Sequence, residues 1–392
     1  MVRTGMDQLL SDFDHRVGDT PYALLCHGAS VDGQGRYVFD RLCGDPSTRP
    51  RMLLVPEHGL FGEQAYMEAV ADTRDRGRSV PVVSLYGDSV QSLAPSRDVL
   101  SEVDLVVFDL QDVGARYYTY LATMAMTMQA CATAGVRFVV TDRPNPLGGV
   151  AMEGNLVRDH LRSFVGHLPL TNRHGLTAGE AARLYADHAD LDLDLEIVPC
   201  EGLHRSDLWP QTHLPFVPPS PNIPGWRTAL VYPGMCLLEG TNLSEGRGTT
   251  TPFLVFGAPY MDDPGALAGQ LNGLALDGVG FLPTWFVPSA DKWAGKRCGG
   301  IRLVLTDERA FRPLLTGIAV VSACMNRYPA DFKYRNEAYE FVEDRLAIDL
   351  LLGAEEVRTA LEAGVPPRDV VAAMTPETSE FGKAREPYLL YR

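Results

Sequence analysis

Three short apolar runs in this chain each end in a cluster of acids and bases. Met52-Leu53-Leu54-Val55 leads into Pro56-Glu57-His58-Gly59, and Leu105-Val106-Val107-Phe108 leads into the stretch from Asp109 to Tyr117. Val136-Arg137-Phe138-Val139-Val140 leads into Asp142-Arg143-Pro144-Asn145-Pro146. A carboxyl set between Pro and Gly at a strand end, as Glu57 is, is held stiffly and partly stripped of water. Desolvation disfavours the charged form and raises the pKa toward neutrality, which suits a general acid. His58 adds a titratable imidazole. The plainer reading of Glu57, a side chain capping the next helix or binding backbone amides, is equally open.

The second cluster holds Asp109, Gln111, Asp112, Arg116, Tyr117 and Tyr118. Arg116 is suited to gripping a substrate carboxylate with two parallel hydrogen bonds, or to neutralising a buried Asp. Tyr118 could stack on a sugar ring or simply open the following helix. In the third cluster two prolines freeze a turn carrying Asp142, Arg143 and Asn145, so the turn is expected to position something. Asn172-Arg173-His174-Gly175 supplies another cation and another imidazole, although a lone His such as His174 is more often structural. Downstream, Asn222 lies in Pro219-Ser220-Pro221-Asn222-Ile223-Pro224, and Tyr232-Pro233-Gly234 precedes a glycine-rich stretch from Glu239 to Pro252. That stretch carries Glu239, Asn242, Glu245 and Arg247 among hydroxyl side chains. Paired carboxylates with Arg, Tyr and Asn suggest glycoside hydrolysis, in which one carboxyl protonates the leaving oxygen. A second, or the substrate's own acetamido group, then acts as nucleophile or base.

Such clusters act together only if the fold brings them to one place. Residues 1–150 alternate strand and helix signals. Strands are expected at Tyr22–Cys26, 52–55, 81–85, 104–109 and 136–140, with helices at Asp7–Arg16 and 117–134. Gly135 closes the second helix. Thr177 with Glu180 three residues on reads as a capping box opening a helix over 178–188, and a strand follows at Asp194–Val198. This alternation predicts an α/β fold, a Rossmann-like, doubly wound, mostly parallel sheet, in which ligands bind beyond the carboxyl ends of the strands. The Pro- and Gly-rich stretch 210–235 reads as a boundary. From about 236 onward we expect a smaller α+β domain, with a helix near 264–275, strands near 279–286 and 300–305, and helices near 308–326, 337–352, 354–363 and 367–373. The division is thus a catalytic domain over 1–225 and an auxiliary domain over 226–392.

With 392 residues, 45% hydrophobic and 22% charged, the chain has the composition of a globular protein large enough for two domains. Its formal charge of −15 argues against a nucleic-acid or anionic-membrane partner, both of which need a basic face. Seven scattered cysteines with no CxxC spacing read as reduced thiols. Met1 to His15 contains acids and no apolar run, so a cytoplasmic location is expected. The glycine-rich dinucleotide fingerprint, a Walker loop and HExxH are all missing. Gly28-Ala29-Ser30-Val31-Asp32 falls one glycine short of a nucleophile elbow. His58, Asp109, Asp112 and His174 have no diagnostic metal spacing.

Taken in order, several segments resemble a bacterial family long catalogued as a domain of unknown function, which includes exo-acting β-N-acetylmuramidases of peptidoglycan turnover. They are VPEHGLFGEQ (55–64), LYG (85–87), DLVVFDLQDVGARYYTY (104–120), DRPNPLGG (142–149), SFVGHLPLTNRHGLTAGE (163–180), PSPNIP (219–224), YPGMCLLEGTNLSEGRGTTTPF (232–253) and the tail from YPADFKY (328–334). The resemblance spans essentially the whole chain. It implies a Rossmann-like domain with an auxiliary domain, an active site in the cleft between them, and release of β-1,4-linked N-acetylmuramic acid from non-reducing ends, with no metal or nucleotide cofactor. The partner would be a peptidoglycan-derived saccharide or muropeptide. Glu57 carries over as the catalytic carboxyl; beyond the resemblance, we infer Glu239 or Glu245 as a second, and Arg116, Arg143, Arg173 or Arg247 as binder of the sugar's lactyl carboxylate. Cys26-His27-Gly28-Ala29-Ser30 departs from the Asn/Thr-rich turn expected there. Two rivals stand beside this reading. One is an amidase or esterase using His27 and Ser30, or His58; the other is a non-catalytic sugar or muropeptide sensor.

Overall fold

The computed structural model describes residues 1–62, 73–75 and 80–392, so Glu63 and Gln64 of the 55–64 segment lie outside the described residues. The larger sheet has seven strands: β1 (Tyr22–Cys26), β2 (Met52–Val55), β3 (Thr73–Asp75), β4 (Val80–Ser84), β5 (Leu105–Asp109), β6 (Arg137–Thr141) and β7 (Leu195–Val198). Their spatial order is β3-β4-β2-β1-β5-β6-β7. Six strands run parallel, and β3 adds an antiparallel edge. β1, β2 and β5 are buried at every residue. This is why they read as continuous apolar runs and not as alternating ones. From β1 the chain builds outward one way through β2 and β4 and the other way through β5, β6 and β7. The switch point therefore lies between β1 and β5. The loops after β1, β2, β5 and β6 all leave the same edge of the sheet.

The helix Tyr120–Ala134 follows β5. Most of its circumference is buried, and Gly135 ends it in the left-handed conformation, at φ 69°. Thr177 and Glu180 form the expected reciprocal cap: the Thr177 hydroxyl accepts from the Glu180 N–H and the Glu180 carboxylate from the Thr177 N–H. It opens the helix Ala178–His188.

The smaller antiparallel sheet has the order β8-β10-β9, built from β8 (Val255–Ala258), β9 (Val279–Phe286) and β10 (Cys298–Leu305). The helices Pro264–Gly273 and Pro313–Arg327 belong to the same half. One hydrophobic cluster runs without a break from Ala23 to Phe381, so both halves share a core. Among the described residues no helix is long and apolar enough to cross a membrane.

Four of the differences from expectation bear on the site and its surroundings. The first helix splits into Gly5–Ser11 and Phe13–Arg16, because Asp12 leaves the helical region. The stretch 210–235 contains a helix, Trp226–Met235, with Pro233 inside it. Its Gly234 lies against the backbone of Pro313 and Gly317, an approach no side chain would permit. A further helix, Thr375–Ala384, was not anticipated. The helix expected over 337–352 is reduced to Ala347–Leu352. In its place Tyr339 and Val342 pair in both directions across a tight turn, with Glu340 at φ 45° and Phe341 at φ 67°.

Candidate active site

Glu57 follows β2 directly. Behind it His58 (φ 72°) and Gly59 (φ 74°) are both left-handed, and the Gly59 N–H closes onto the Pro56 carbonyl at 3.1 Å. This turn holds Glu57 buried at the carboxyl edge of the sheet, only 4% exposed. The Thr119 hydroxyl, at the start of the helix after β5, donates to Glu57 Oε2 at 2.9 Å. Tyr120 fixes the neighbouring wall by donating to the Pro219 carbonyl at 2.7 Å.

From the other half of the chain, Glu340 enters the same cavity. Its carboxyl accepts from the Tyr86 hydroxyl at 3.0 Å. Burial, and then the charge of Glu57, push its pKa well above the usual carboxylate range. Burial together with the charges of Glu57 and Glu340 also raises Tyr86, which keeps that phenol a donor. Glu239 lines the cavity too, with both oxygens engaged: Oε1 accepts from Arg247 at 2.6 Å and Oε2 from the Tyr339 hydroxyl at 2.9 Å. Several carboxyls in one buried cavity, one of them holding its proton more tightly than usual, are an arrangement that can separate acid from base.

The cavity bounded by Glu57, Glu239, Glu340, Arg247, Tyr118 and Tyr232 has a volume of about 30 Å³. That is room for water but not for a pyranose ring.

Of the residues singled out from sequence, Glu57, His58, Tyr118, Asn222, Tyr232, Glu239 and Arg247 line this cavity. Glu245 stands behind it, paired with Arg247 at 3.0 Å and Lys292 at 2.8 Å. Burial opposes its ionisation, but the two cations outweigh burial and hold its carboxyl below the usual range. Three of the four candidate arginines are used up internally. Arg116 donates to the carbonyls of Asn155, Leu170, Leu351 and Leu352. Arg143 forms a two-pronged pair with Asp109 and also reaches the Val31 carbonyl. Arg173 binds Glu153 and the Leu147 carbonyl.

The remaining candidates brace loops. Asp142 accepts from Thr177, Tyr391 and the Gly179 N–H. Asp112 accepts from the Gly114 N–H and faces His174, whose other nitrogen accepts from the Leu176 N–H. Asn145 ties Leu147 to Leu176. Asn242 faces a separate open cavity instead. Nor is there a serine nucleophile at Ser30. Its hydroxyl donates to the Asp109 carbonyl, while His27 Nε2 accepts from the Gln111 N–H at 3.0 Å. Burial and the nearby Arg143 charge lower His27 to about 3, so the ring stays a neutral acceptor.

Sequence reasoning passed over Glu340, Tyr339, Thr119 and Tyr86. An acid between two aromatics, Tyr339-Glu340-Phe341, was the available signal for the first two. Apolar spacing over 337–352 hid it by suggesting a helix.

Comparison with known proteins matches the chain in two stretches. Residues 22–227 match the family model described as exo-beta-N-acetylmuramidase NamZ, N-terminal, and residues 230–391 match its C-terminal counterpart. The peptidoglycan beta-N-acetylmuramidase NamZ of Bacillus subtilis (strain 168) is 37% identical over 390 residues, covering 100% of this chain and 91% of the relative. Two crystal structures of DUF1343 family proteins from Bacteroides fragilis superpose with TM-scores of 0.87 and 0.76. Each is 29% identical and covers 100% of this chain and 99% of its own. With both halves matched and the full length shared with a curated relative, this chain belongs to the exo-β-N-acetylmuramidase NamZ family.

Proposed function

We propose that this chain is an exo-acting glycoside hydrolase that releases N-acetylmuramic acid from the non-reducing end of peptidoglycan fragments, with Glu57 and Glu340 as its acid–base pair. Family membership supports the reaction, and the relative from B. subtilis is named as a peptidoglycan beta-N-acetylmuramidase. The observation that carries the assignment of the pair is the convergence of the two carboxyls in one buried cavity. The sequence reading gave the acid role to Glu57. We give the donor role to Glu340, because burial and the Glu57 charge hold its proton more tightly than an ordinary carboxyl would. Glu57, which accepts the Thr119 hydroxyl, then acts as the carboxylate. It stabilises the oxocarbenium-like transition state, or orients water or the substrate's acetamido group for attack at the anomeric carbon.

Arg247 lines the cavity and is braced by Glu239 and Glu245, which suits it to hold the lactyl carboxylate. Tyr118, Asn222 and Tyr232 contribute further walls. In this reading residues 1–225 supply Glu57 and its support, and residues 226–392 supply Glu239, Arg247 and Glu340. No step calls for a metal or a nucleotide.

The test is hydrolysis of N-acetylmuramyl-β-1,4-N-acetylglucosamine. The wild-type chain should release both sugars, and Glu340→Gln should lower turnover at least about a hundredfold, the scale of acid–base catalysis. Undiminished turnover by that variant would remove Glu340 from the chemistry.

A further inference from the structure

The geometry points to a leaving-group subsite on the outer side of the turn Tyr339–Val342: an open groove of about 570 Å³ that takes the sugar on the reducing-end side of the scissile bond. This inference rests on the assignment of Glu340 as the proton donor and names the site that assignment requires.

A proton donor acts on the glycosidic oxygen, so the departing sugar must lie next to the donor on the side away from the anomeric carbon. Glu340 lines the cavity it shares with Glu57 and also the groove. The cavity, at about 30 Å³, has no room for the departing ring, whereas the groove falls in the size range of ligand sites. Its character fits a saccharide. Phe164 and Phe341 offer aromatic surface, and Gln129, Arg162, His167 and His188 offer polar groups around it. His167 is oriented by the Tyr185 hydroxyl at 3.0 Å.

The turn stands between groove and cavity beside the Phe164-Val165 segment, and its backbone is unusual. Both central positions of a two-residue turn are left-handed here, yet neither Glu340 nor Phe341 is a residue that favours this region. Outside contacts hold them there. Tyr86 bonds the Glu340 carboxyl, and the Phe341 ring meets Tyr86 at 5.6 Å and Phe164 at 6.4 Å, both edge to face. Local conformation that must be imposed by its surroundings is common where a segment has to shift during function. Displacing this turn would join the two spaces into one site long enough for a disaccharide.

The experiment fills the groove without touching the cavity. Gln129→Trp does so from an exposed position on the helix Tyr120–Ala134, and Val90→Trp does so from the facing wall. Ala134→Trp, exposed at the end of the same helix and off the face that carries Met126 and Gln129, controls for damage to the helix. Two substrates are compared: the disaccharide, which needs the subsite, and β-N-acetylmuramyl fluoride, whose leaving group does not. The groove-filling variants should lose at least tenfold in kcat/KM on the disaccharide and keep their rate on the fluoride, while Ala134→Trp matches wild type on both. Equal retention of both activities, or an equal fall in both, would overturn the subsite. If the wild-type chain cleaved neither substrate, it is the reaction itself, proposed above, that would fail.

Discussion

Glu57 and Glu340 face one buried cavity from opposite halves of the chain, and the charge of Glu57 is second only to burial in holding the Glu340 proton in place. Removing the Glu57 charge must therefore move the Glu340 titration.

Glu57→Gln removes a negative neighbour, so Glu340 should give up its proton more readily and titrate at lower pH than in the wild-type chain. Carboxyl-carbon NMR on selectively labelled protein reads this directly. An unchanged Glu340 titration in Glu57→Gln would show that the two carboxyls do not sense each other.

The same pair predicts a stability effect with a definite sign. Glu340 binds its proton more tightly when folded than when unfolded. Its contribution is therefore complete below the ordinary Glu pKa and is lost as pH rises through the raised folded value. Glu340→Gln does not titrate, so its melting temperature should gain on wild type as the pH is taken from about 5 to about 9. A gap that stays constant or narrows contradicts this.

Arg247→Ala should weaken N-acetylmuramides by about 1–3 kcal/mol in kcat/KM, the cost of a buried carboxylate left without its partner. N-acetylglucosamine glycosides lack that carboxylate and should be little affected, so discrimination between the sugars shrinks. Arg247→Lys should recover part of the loss. Equal losses on both sugars would remove the clamp.

Arg143 and Asp109 make a fully buried, two-pronged pair away from the cavity. Arg143→Ala leaves a carboxylate uncompensated in the core and should cost about 3–5 kcal/mol in a denaturant titration. The fraction that folds should keep a wild-type KM. A near-neutral ΔΔG would mean that the core accommodates the charge by another route.

Much of this was legible in the sequence. The apolar runs ending at Val55 and Phe108 mark strands buried on both faces, and Thr177 with Glu180 marks a helix start. These signals are local, and the structure carries them unchanged. The site was legible to the extent that a residue's partner is its neighbour in sequence, as for Glu57 between Pro56 and the His58-Gly59 turn. It was not legible where a partner comes from far along the chain. Arg116, Arg143 and Arg173 have the right chemistry for a carboxylate clamp, but carbonyls and acids brought in by the fold satisfy them first. Glu340 was hidden for the converse reason. Its turn is imposed by Tyr86 and Phe164, and nothing between Tyr339 and Val342 announces it.

The central claim is that Glu57 and Glu340 divide the work of breaking one glycosidic bond. It is tested most directly by β-N-acetylmuramyl fluoride, which departs without a proton donor, set against the disaccharide, which needs one. Glu340→Gln should lose the disaccharide at least about a hundredfold yet keep most of its fluoride turnover, while Glu57→Gln should lose both. If Glu340→Gln cleaved the disaccharide at the wild-type rate, or Glu57→Gln stayed active on both substrates, the account would be wrong.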